Sequence, residues 1–313
     1  GHFEPGFTLL MWVCIKIGLP FLGFKSILAT IYILGLFKTI KTYTKNTAFA
    51  LAIFMIFPFM YFASVLRAGI AGLIIVYAIQ FLKRDVKHGD LKYIGYILSA
   101  TMVHTSSLFF LLFLLIRKGA KKGIMIRVMG VALMIDIFFR NTVLFKIIGM
   151  FTKNYKILQW LNGGGHTSSE LNITGKVIQI IILLFILFVT RQAYKINYSI
   201  RQLNSKQDEI CEIVLKCNAY MLTLIPVMMM TDVWIRLVWE ILLLNICTYS
   251  NTIELIHCLP QNHNKKYAVS CFELIVIAMI LFIYIYMDKP YWGTENASVN
   301  MFYNNIIFSK LSL

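Results

Sequence analysis

The 313-residue chain is 59% hydrophobic and only 14% charged, with a mean hydropathy of +0.73. A soluble domain is about half apolar and a quarter charged, so a single water-exposed globule is excluded. The net charge of +16 sits in short Lys/Arg clusters between apolar runs, not on one continuous face, which argues against nucleic-acid binding and for the cytoplasmic loops of a membrane protein.

The chain opens Gly1-His2-Phe3-Glu4-Pro5, with neither an initiator Met nor a signal peptide, and its start reads as truncated. Residues 6–19 follow a helical pattern in which Phe7, Leu10, Met11, Cys14 and Ile15 recur against Thr8 and Lys16. That pattern is too short to span a bilayer and predicts an interfacial helix within an outer-face segment 1–23. Pro5 suits the first turn of that helix and Glu4 suits its cap, so spacing alone favours capping as the role of this carboxylate. Apolar runs bounded by charge then predict about eight membrane helices, near residues 24–40, 47–66, 67–82, 122–139, 173–190, 210–230, 232–253 and 267–287. The fold class is all-α, a polytopic integral membrane protein with one membrane domain over 1–313.

The loops at 38–45, 83–92, 117–127, 191–206 and 265–266 carry most of the 30 Lys and Arg, and the positive-inside bias assigns them to the cytoplasm. The apolar stretch Tyr93 to Ile116 then has cytoplasmic clusters on both sides and cannot cross once. It predicts a re-entrant pair of half-helices over 91–116, turning at His104-Thr105-Ser106-Ser107, where hydroxyl side chains can satisfy freed backbone groups. Residues 141–172 form an outer loop that contains the run Asn162 to Glu170, with His166 in it. Six cysteines at 14, 211, 217, 247, 258 and 271 show no C-x-x-C and no His at metal-ligand spacing, so they read as free thiols and call for no metal. No GxGxxG or Walker sequence occurs, and the pattern calls for no cofactor.

Among the intramembrane charges, Asp136 and Arg140, Glu212 and Lys216, and the run Asp232, Arg236, Glu240 are spaced i, i+4, where members of each set can neutralise one another. Arg67 has no carboxylate within helical reach, so its partner comes from elsewhere or is a ligand. It begins Arg67-Ala68-Gly69-Ile70-Ala71-Gly72 at the outer end of two predicted helices, where a guanidinium beside a helix N-terminus suits an anion, phosphate best of all. The competing reading is an arginine snorkelling to outer headgroups. His104 has the chemistry of a general acid or base, with Thr101, Thr105, Ser106 and Ser107 at hand to orient its ring, or it ties the hairpin tip to a backbone carbonyl.

Four fragments, taken in order, resemble the EpsG family of Wzy-type polysaccharide polymerases, chiefly over residues 1–116. They are Glu4-Pro5-Gly6-Phe7, Arg67-Ala68-Gly69-Ile70-Ala71, the basic loop Lys83 to Lys92 followed by Ala100-Thr101-Met102-Val103-His104-Thr105-Ser106, and Arg236. Ala68 stands where the family usually carries Gln, Ser107 where it usually carries Ala, and the family usually begins with further membrane helices. The resemblance implies a GT-C-like, multi-pass glycosyltransferase of the bacterial plasma (inner) membrane. Such an enzyme joins undecaprenyl-diphosphate-linked oligosaccharide repeat units at the outer face into a surface polysaccharide: an O-antigen, capsule or exopolysaccharide. It implies as partners the lipid-linked oligosaccharide, the bilayer, a chain-length regulator and a flippase, and no nucleic acid. On that reading Arg67 and Arg236 hold the diphosphate, Arg140 and His166 add substrate contacts, and His104 or Glu4 serves as base or base-orienter, Glu4 being the weaker choice. Two other classes use similar features. A lipid-linked-saccharide or small-solute transporter would show two repeated halves, which the sequence lacks, and a membrane acyltransferase modifying a polysaccharide would take its acyl donor from the cytoplasm.

Overall fold

The computed structural model describes residues 4–118, 173–200, 205–225, 235–257 and 263–288, together with Arg127 and Gly130. Among these residues helix is the regular secondary structure seen and no strand occurs, as the composition leads one to expect.

Helix α1 (Pro5–Lys16) has Pro at its start, where a missing N–H costs nothing. Gly18, at φ +73, turns the chain in the left-handed region into Pro20 and α2 (Phe21–Tyr43). The run expected as one span over 47–66 is two helices, α3 (Thr47–Ile56) and α4 (Phe59–Ser64). Pro58 is the cause: a residue before proline is pushed out of the helical region, and Phe57 stands extended at φ −161, ψ 135. α5 (Leu66–Ala78) continues as a 3-10 turn over Ile79–Leu82.

The 93–116 stretch doubles back. α6 (Gly89–Val103) stops at His104, whose backbone is extended, and a 3-10 segment (Thr105–Phe113) and α7 (Leu114–Arg117) return along it. Tyr93 Oη donates to the carbonyl of Phe110 at 2.8 Å. A straight helix would hold these two residues about 25 Å apart, so the arms are antiparallel. Their far ends are clamped as well. Arg117 Nε pairs with Asp90 at 3.0 Å, and its guanidinium donates to the carbonyls of Phe81 and Val86 at 2.8 Å and to that of Lys83.

The second half packs α8 (Ile173–Ile200), α9 (Ser205–Met221), α10 (Ile235–Glu240), α11 (Leu242–His257) and α12 (His263–Asp288). Its core is tied by polar bonds of the kind that hold helices together in hydrocarbon. Asn218 and Asn245 exchange amide bonds at 2.6 and 3.2 Å, Thr190 meets Tyr249 at 2.9 Å, and Asn197 donates to Thr252 at 2.8 Å. The exterior has the reverse character. Ile31, Leu34 and Phe37 on α2, Val177, Ile181, Leu184 and Phe188 on α8, and Leu274, Leu281 and Ile285 on α12 all stand exposed, which only an apolar solvent makes favourable.

Among the described residues two helices are long and apolar enough to cross a membrane, Phe21–Tyr43 and Gly175–Ser199, and several apolar helices are shorter. Apart from Arg127 and Gly130, the predicted span 122–139 lies outside the described residues. The span predicted over 232–253 is divided between α10 and α11, so a count of eight unbroken crossings does not follow from the helices seen. Of the cysteines, 14, 211, 217, 247 and 271 are free thiols.

Candidate functional site

α5 and α6 set the site. They pack side by side, with the N-terminus of α5 and the C-terminus of α6 at one end of the bundle. At the other end are the basic loop 83–88 and the junction where Tyr43 Oη reaches the carbonyl of Val76 at 2.6 Å. α1 lies against the end of α6 because Gly6 has no side chain there: a Cβ on it would stand 2.9 Å from the carbonyl oxygen of Met102. This close approach carries the residue ahead of α1, Glu4, into the corner between Arg67 and His104.

Glu4 is buried, 7% exposed, and makes no side-chain capping bond to α1. The capping role favoured by spacing is therefore replaced by a tertiary one. Oε2 pairs with Arg67 Nη1 at 2.7 Å, and Oε1 accepts from Thr105 Oγ1 at 3.3 Å. His104 Nδ1 lies 3.9 Å from the same Oε1, longer than a hydrogen bond but within reach of a small ring rotation. The Arg67 guanidinium sits over the ring of Phe7, 5.1 Å from its centre, and Phe7 packs edge-on against Phe24. The partner of Arg67 that the sequence placed elsewhere is thus Glu4, 63 residues away.

The arrangement joins three distant segments: a carboxylate, a guanidinium still about one-third exposed, and an imidazole at the tip of the folded hairpin. A carboxylate within reach of Nδ1 can fix the tautomer and leave Nε2 to take a proton. A guanidinium with one edge on Glu4 keeps further N–H donors for an anion. Of the hydroxyls expected to orient His104, Thr105 goes to Glu4 instead, and Thr101 donates to its own helix at Ile97.

Arg236 lies on another face of α5. α10 packs on α5 with Glu240 against Gly72, while Arg67 points toward α1 and α6; five residues apart at 100° each, the two directions differ by roughly 140°. Glu212 and Lys216 form their i, i+4 pair at 2.6 Å. Arg236 and Glu240 do not: neither carboxylate oxygen of Glu240, nor Arg236 Nε, has a hydrogen-bond partner among the described residues. Asp136, Arg140, His166 and Asp232 lie outside the described residues. Sequence reading missed Phe7, whose aromatic character beside Gly6 was the available signal, and it missed the isolation of Glu240, for which spacing gave the opposite signal.

A family model described as the EpsG family matches residues 1–309. No curated protein and no solved structure matches the chain.

Proposed function

The chain belongs to the EpsG family, and from that membership we propose that it is a membrane glycosyltransferase that joins lipid-linked oligosaccharide repeat units into a surface polysaccharide. The observation that carries this reading is the Glu4–Arg67–His104 corner: a held guanidinium and an orientable imidazole side by side at the end of the bundle away from the basic loops. By the positive-inside bias that end is the outer face of a bacterial plasma membrane. The hairpin over 91–116 is then re-entrant, and the further crossings complete a multi-pass, GT-C-like domain.

In this reaction a hydroxyl oxygen on the terminal sugar of one unit attacks the anomeric carbon of another. The bond from that carbon to the undecaprenyl diphosphate breaks, and the electron pair leaves with the diphosphate. Charge grows on the leaving oxygen, where Arg67 stabilises it more in the transition state than in the ground state; Arg236, expected beside it, lies on another face of α5. The hydroxyl proton passes to His104, held in the required tautomer by Glu4. Arg140 and His166 supply further substrate contacts, and a flippase and chain-length regulator act before and beside this step. Deleting the gene in its source cell tests the reading. Surface polysaccharide should fall to single repeat units, whereas full-length chains in the deletion strain would overturn it.

A further inference from the structure

Arg67 is held from two directions by one helix. Glu4, at the start of α1, meets the edge of the guanidinium through Nη1 at 2.7 Å. Phe7, in the first turn of α1, lies under the group, with Cζ 5.1 Å from the ring centre. The two contacts constrain different motions. A bond through one Nη fixes where a guanidinium sits but lets it swivel about the line of that bond. An aromatic ring against the group opposes the swing, because turning the cation away from the electron-rich face gives up the attraction.

Phe7 is itself fixed. Its ring stands edge-on to Phe24 of α2, with centres 5.6 Å apart and planes at 68°, and Phe24 is buried. Gly6 sets the helix that carries it, since a Cβ there would press on Met102. Anchoring α1 does not call for an aromatic at position 7. Leu10, Met11 and Cys14 of the same helix join the same small cluster as Phe24 and Leu28. A leucine at position 7 would suit that cluster, whereas a cation gains from a π face that leucine lacks. The pairing also differs from others in the protein. Lys16 over Trp12 and Lys25 over Phe21 are one helical turn apart, where helix geometry brings side chains together. Phe7 and Arg67 come from separate helices and meet where α1 docks on the end of α6.

We propose that Phe7 is a positioning residue for glycosyl transfer: its ring holds the Arg67 guanidinium in the orientation that faces the leaving diphosphate. This inference rests on the glycosyl-transfer reading and names the residue that sets the angle of its cation. Charge on the leaving oxygen grows toward the transition state, so a guanidinium that swings loses more there than in the bound ground state. The loss therefore falls on kcat more than on KM.

The test introduces phenylalanines with one, two and three ring fluorines at position 7 by stop-codon suppression. The protein is assayed in liposomes with the lipid-linked repeat unit of its source cell, and rates are expressed per folded protein. Fluorine drains the face of the ring and changes its size little, so a packing role would not follow the series. The kcat should fall stepwise, to about a tenth of the wild-type value at three fluorines, with KM within about twofold. Phe7→Leu, which keeps apolar bulk without a π face, should match the trifluoro protein. A wild-type protein that elongates while the series and Phe7→Leu keep its kcat would overturn the positioning role and leave the polymerase reading intact. A fall accounted for by loss of folded protein would overturn it in favour of packing. A wild-type protein that does not elongate would overturn the glycosyl-transfer reading and this inference with it.

Discussion

Glu4 reaches Arg67 across 63 residues at 2.7 Å, and the same carboxylate takes the Thr105 hydroxyl and faces His104. Bridging and capping predict opposite results for Glu4→Asp. Aspartate is a better N-cap than glutamate, so a capping residue would tolerate the change. A bridge would be left short by one methylene. We expect Glu4→Asp and Glu4→Gln to slow elongation by about tenfold or more while membrane levels hold. A Glu4→Asp protein of normal rate would return this residue to the cap.

Arg67→Lys keeps the charge but replaces a planar fork with a point ammonium, which cannot serve Glu4 and a diphosphate oxygen together. Elongation should fall by about a hundredfold with the protein still accumulating. Normal elongation by Arg67→Lys, or failure of Arg67→Ala to accumulate, would reassign this arginine to structure.

The hairpin gives a topological prediction. Lys87 and Lys118 are both exposed near its clamped ends. Single cysteines at these positions, in a background whose native cysteines have been replaced, should label from the same side of the membrane. Labelling from opposite sides would mean that the segment crosses, and that His104 is not carried on a re-entrant tip.

Asn218 and Asn245 tie α9 to α11 inside the core. Asn218→Ala breaks both amide bonds and the bond to Thr190, so the protein should lose about 1–3 kcal/mol of stability in detergent, read as a lower unfolding temperature. Unchanged melting would show the ladder to be incidental.

The sequence revealed what depends on local pattern. Charge flanks foretold that 93–116 turns at His104, and the start of α1 at Pro5 was visible as well. The division of 47–66 was also there to read in Pro58, but hydropathy averages over a proline and hides it. Long-range pairing was out of reach, because nothing in the spacing of Glu4 says that Gly6 lets α1 settle on Met102 and so delivers the carboxylate to Arg67. Glu240 misled for the same reason. An i, i+4 partner is a local opportunity, and the packing of α10 on Gly72 did not use it.

The central claim is that the Glu4–Arg67–His104 corner transfers glycosyl units between lipid carriers. The most direct measurement supplies the protein in liposomes with undecaprenyl-diphosphate repeat units, without nucleotide sugar or ATP, and separates the products by length. The account predicts a ladder of lengthened chains from wild-type protein and almost none from His104→Ala or Arg67→Lys. Units that only change leaflet at their original length, or that gain an acyl group, would contradict it.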